Sequence, residues 1–87
     1  MFSQRFQKNI RLTHYVKARM EKRDISLEQL LDLIETGDIR HKSETDWWIY
    51  KGYAERTDNM VCSAVVVGQA VIVKTVMVNW ILEELQS

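Results

Sequence analysis

The stretch VCSAVVVGQAVIVKTVMV, residues 61–78, carries a single charge in 18 positions and decides how the rest of the chain is read. Its length meets the threshold for a membrane-spanning helix. Against that stand Gly68 and Gln69 near its centre, and eight valines, whose β-branched side chains favour a pleated strand over a helix. A turn at Gly68-Gln69 divides it into two halves of ordinary strand length. The stretch therefore reads as a buried β-hairpin, and no membrane partner is expected.

Working back from the hairpin, DWWIYKGYA (46–54) alternates Trp47, Ile49, Lys51 and Tyr53 against Trp48, Tyr50, Gly52 and Ala54. That is a strand with two distinct faces, and ERTDN (55–59) after it reads as a turn. Trp47 and Trp48 point to opposite faces, so one belongs to the core and the other is a binding candidate. DIRHKS (38–43) is a short, polar, edge-like strand. Upstream of Gly37 the period changes from 2 to 3.6. Leu27, Leu30, Leu31, Leu33 and Ile34 form an amphipathic stripe opened by a Ser26–Gln29 capping box, with Gly37 at the C-terminal end. A first helix runs from about His14 to Arg23 behind Thr13 as N-cap, burying Val16 and Met20. Residues 2–11 either extend that helix or form a separate turn. At the other end NWILEELQS reads as a short helix capped by Asn79. The expected fold is a single α+β domain over residues 1–87. Two N-terminal helices pack on a four-stranded antiparallel meander, followed by a short C-terminal helix.

The composition is that of a globular domain, with 46% hydrophobic and 28% charged residues. No secretory leader is visible at the start. The only cysteine, Cys62, excludes an internal disulfide and fits a reducing cytoplasm. Two histidines and one cysteine do not make a ligand set, so neither a metal nor a cofactor is expected. The net charge of zero hides a polarity. Residues 1–23 hold seven basic side chains against Glu21 alone, a balance of +6. Residues 24–50 hold seven acidic ones against Arg40 and Lys42, a balance of −5. The basic end can steer an anionic partner.

Few residues can carry chemistry. His14 is of a residue type that suits proton transfer, or it is a plain helix-start residue. Arg19 and Arg23 lie one turn apart and can clamp a phosphate or shield the core edge. Five residues separate His14 from Arg19, about 140° on an ideal helix, so the two do not converge without help from another element. Thr75 interrupts an apolar strand, and strict alternation sends Lys74 to the other face. Lys51, Tyr53 and Arg56 cluster near the end of the Trp47–Trp48 strand as binding candidates. There is no Gly-rich phosphate loop and no Ser/His/Asp arrangement.

HYVKARMEKRDIS (14–26) resembles the H-x4-R-M-x2-R-x-I-S signature of a domain family of unknown function met in toxin and mobile-element contexts. The likeness extends over roughly residues 12 to 78. That family is similar to the compact BrnT, RelE and ParE toxins, several of which cut RNA without metal. The resemblance implies a site of His14, Arg19, Arg23 and Thr75, with RNA as substrate and a cognate antitoxin as partner. The alternative is a non-catalytic module, encoded by a phage or mobile element, that binds a host protein through its aromatic residues. A short domain with this much apolar surface is also expected to form a homodimer, through the open face of the sheet or through Trp80, Ile81 and Leu85.

Overall fold

The computed structural model describes residues 1–54 and 60–78. Six strands and two helices follow the order β1 (Phe2–Ser3), β2 (Lys8–Leu12), α1 (His14–Lys22), α2 (Leu27–Thr36), β3 (Asp38–His41), β4 (Asp46–Gly52), β5 (Met60–Val67) and β6 (Val71–Val78). The strands form one sheet in the order β1-β2-β6-β5-β4-β3. The β3-β4-β5-β6 meander is as expected, every neighbour antiparallel.

The four-stranded architecture is not. Residues 2–12 form β1 and β2 around a turn at 4–7 rather than extending the helix, so the sheet has six members among the described residues, and the helices lie between β2 and β3 instead of leading the chain. The sheet is also mixed, because β2 pairs with β6 in parallel, Ile10 opposite Val71 and Leu12 opposite Val73. The physical reason is visible in KNIRL (8–12). Only Ile10 and Leu12 are apolar, two residues apart, and the charges around them hide a period-2 signal that long-range pairing completes. A parallel pair needs a long crossover, and here both helices and β3 to β5 supply it. The closing helix expected from Asn79, with Trp80, Ile81 and Leu85, falls on residues outside the described ones.

The helices begin and end for identifiable reasons. Thr13 Oγ1 accepts from the Val16 amide at 3.1 Å. At the other end of α1, Ile25 N–H reaches Met20 O at 2.8 Å and Asp24 N–H reaches Glu21 O at 3.2 Å. This is a Schellman closure, with Asp24 in the left-handed region (φ 55°) and buried Ile25 beside buried Met20. The expected capping box of α2 is present: the Gln29 amide donates to Ser26 Oγ at 3.1 Å, and the Ser26 amide to Gln29 Oε1 at 3.4 Å.

Gly37 ends α2 for a different reason from the one its position suggests. Its φ of −71° is open to any residue. What excludes a side chain is space: a Cβ would lie 2.5 Å from Leu33 O and 2.9 Å from both Ile49 Cγ2 and Tyr50 O. The last carbonyls are closed by Arg5, whose Nη1 donates to Ile34 O at 3.0 Å and Gly37 O at 2.7 Å.

One face of the sheet carries the core. Val16 and Met20 of α1 and Leu30, Leu33 and Ile34 of α2 pack on Ile10, Ile49, Val61, Val65, Val71, Val73 and Val76. Leu27, expected in the α2 stripe, is 57% exposed. It opens the helix on the solvent side, and the stripe starts at Leu30.

Candidate functional site

Cross-strand register assigns each side chain to a face, and it gathers one group on the side away from the helices. Arg40, Trp48, Ala64 and Thr75 form a continuous row across β3, β4, β5 and β6. Between Ala64 and Val65 the β5–β6 register slips: Ala64 faces Thr75, and Val65 faces Val73. Lys74 is the extra residue of a β-bulge. Strict alternation would have sent Lys74 away from Thr75. The bulge instead lets both line one cleft of about 310 Å³, together with Lys42, Asp46, Trp48 and Ala64. The Lys42 ammonium lies 5.6 Å from the centre of the Trp48 ring, within range for a cation–π contact. Lys42 is held there by the turn into β4, where its amide and that of Ser43 both donate to Asp46 O, at 2.8 and 3.0 Å.

The two tryptophans divide as their alternation requires. Trp47 packs on the edge of the core, its ring 4.6 Å from His41 and 5.7 Å from Phe6, with Nε1 donating to Glu44 O at 3.0 Å. Trp48 is the one on the open face.

The candidates on α1 are not brought to this cleft. His14 is the exposed first residue of the helix, and Arg23 is its exposed C-cap. Arg19 is half-buried, its guanidinium 5.7 Å from the Tyr15 ring, and its Nε is enclosed without a hydrogen-bond partner among the described residues. Because α1 packs on the covered face of β6, the sheet stands between His14, Arg19 and Arg23 on one side and Thr75 on the other.

Lys51 and Tyr53 do meet, around a residue that the sequence did not single out. Asp32 Oδ2 accepts from Lys51 Nζ at 2.9 Å and from Tyr53 Oη at 2.7 Å. Lys51 also donates to Thr36 Oγ1 at 2.8 Å. The Lys51 hydrogen bond, then that of Tyr53, holds the Asp32 carboxyl below its ordinary pKa of 3.8. Asp32 and Thr36 are one turn apart on the polar side of α2, and Lys51 near the end of β4 and Tyr53 just beyond it lie two residues apart beneath them. That spacing was the available signal. The cluster binds helix to strand; a carboxylate held ionised by two donors is a poor proton acceptor. Arg56 lies outside the described residues.

Cys62 is fully buried, and desolvation pushes its thiol up to about 12, far from a nucleophile's range. Among the described residues no group of three or more His, Cys, Asp or Glu side chains is placed to hold a metal ion. No described helix is long and apolar enough to cross a membrane, and residues 61–78 form the expected hairpin. No curated protein and no solved structure matches the sequence. Residues 12–78 do match one family model, which spans both helices, the whole meander and the cleft, and the chain thus belongs to the family described as a domain of unknown function, DUF4258.

Proposed function

We propose that this protein is a non-catalytic binding module that takes single-stranded RNA on the open face of its sheet. The observation that carries the reading is the bulge at Lys74, which joins Lys74 and Thr75 to Lys42 and Trp48 in one cleft. An aromatic ring offers a sequence-tolerant stacking surface for a base, worth about 1–3 kcal/mol per base. Two ammonium groups and a hydroxyl beside it suit the flanking phosphates. With only two or three phosphate contacts, log K should fall against log salt with a slope of about −1.4 to −2. A neutral chain with a local cationic cleft is then a weak, salt-sensitive binder.

The test is a titration of tryptophan fluorescence with a short single-stranded RNA, for the wild type and for Lys42→Glu/Lys74→Glu. The double variant should bind at least about tenfold more weakly and lose most of the salt slope. Equal binding by the two proteins defeats the reading. The resemblance to small toxins supports a second reading, a metal-independent ribonuclease acting through His14, Arg19, Arg23 and Thr75. Cleavage of labelled RNA in the presence of a chelator, lost in His14→Ala, would put that reading in place of the first.

A further inference from the structure

We infer that the outer edge of β3 is the surface through which two copies of this chain associate, their sheets joining about a two-fold axis at Ile39. β3 ends the sheet, and among the described residues no strand pairs with its outer edge. The Lys42 amide donates to Asp46 O. In an antiparallel ladder this alternation turns the backbone groups of residues 38, 40 and 42 towards β4, and those of Ile39 and His41 outward. The outward groups are a template for another strand.

Edge strands that must stay single are commonly guarded by charge. β3 presents opposite signs instead: Asp38 and Arg40 lie on the same open face, two residues apart, and neither makes an ion pair among the described residues. Such an edge is complementary to itself when reversed. Outward groups can meet outward groups in three antiparallel registers. With Ile39 on the axis, Asp38 faces Arg40 of the partner subunit twice, and no like charges meet. With Arg40 on the axis, Asp38 faces Lys42 of the partner subunit twice, but the two guanidinium groups face each other. With His41 on the axis, Arg40 faces Lys42 of the partner subunit twice. Opposite-charge pairs across strands stabilise and like-charge pairs destabilise, which selects the first register.

That register has a geometric consequence for the open face. The axis is perpendicular to the sheet, so both open faces look the same way. The row Thr75, Ala64, Trp48, Arg40 continues into Asp38 and Tyr50 of the partner subunit. Two clefts then share one surface of a twelve-stranded sheet.

Sedimentation equilibrium of the full chain without RNA reads the association separately from any binding at the cleft. The wild type is expected to dimerise at micromolar concentration. Arg40→Asp, which sets carboxylates opposite each other, should raise the dimer dissociation constant at least about tenfold, and Asp38→Arg should do the same with guanidinium groups. The exchange Asp38→Arg/Arg40→Asp restores complementarity and should restore the dimer, with circular dichroism confirming that each variant is folded. If Arg40→Asp fails to fold, Asp38→Arg and the exchange carry the contrast. A wild type that is monomeric at about 100 μM overturns the inference. So does a dimer indifferent to the single reversals, or an exchange that leaves the chain monomeric.

Discussion

The two faces of the sheet are made by the same strands and obey opposite constraints. On the covered face Ile49, Val65, Val71, Val73 and Val76 are enclosed by two helices, and volume decides what is tolerated there. On the open face Arg40, Trp48, Lys74 and Thr75 stand in the same strands one position away, and charge and surface shape matter instead. A change of register by one residue would exchange the two. The bulge at Lys74 is a local use of that fact: it turns one additional side chain to the open face without disturbing Val73 or Val76 beneath. The difference teaches that stability and the proposed binding can be altered separately here.

Substitution on the covered side should have the largest effect. Gly37→Ala inserts a Cβ between two backbone oxygens and the Ile49 side chain, and should cost about 3 kcal/mol, read as a lowered urea midpoint at unchanged slope. A loss below about 1 kcal/mol would mean that α2 can slide away from β4. Next comes Ser63, fully buried among valines with no partner for its hydroxyl among the described residues. Ser63→Ala removes an uncompensated polar atom and should raise stability by about 1 kcal/mol; a loss of that size would mean that the hydroxyl is satisfied. The smallest effect belongs to the rim of the covered face. Asp32 is depressed in the folded state, so its contribution is complete above its ordinary pKa of 3.8 and is lost as pH falls through the lower folded value. Both partners are more than a third exposed, which keeps the contribution below about 1 kcal/mol. The stability gap between wild type and Asp32→Asn should therefore hold from about pH 7 to about pH 4 and close below that. A gap that persists at about pH 2 would assign the effect to packing.

How much of this was legible in the sequence follows from distance along the chain. The α2 capping box, the Gly68-Gln69 turn and the division of Trp47 from Trp48 each depend on neighbours within a few residues, and each is present as read. β2 depends on residues 71–73, and nothing near Lys8–Leu12 announces that pairing. The bulge at Lys74 likewise arises from the match of two strands, not from either alone. Gly37 shows a subtler gap: the residue stands at the helix end that sequence assigns to it, but its cause is Ile49 and Tyr50, contributed by β4. Of the site, Trp48 and Thr75 were named, and so were Lys51 and Tyr53. Lys42 and Asp32 were missed as partners because their importance comes from what the fold brings alongside.

The parallel pairing of β2 with β6 also governs how the chain is made. Ile10 leaves the ribosome 61 residues before Val71, the residue it pairs with. At about 5–20 residues per second, that is a delay of roughly 3–12 s. During that time the Schellman turn, the β3–β4 hairpin and the short β1–β2 pairing can form from local contacts, whereas the other edge of β2 has no strand to receive it. The nascent chain thus holds an open apolar ledge until β6 emerges. A slowed codon or a stalled ribosome before residue 71 would prolong the interval in which that ledge is available to chaperones or to a neighbouring nascent chain.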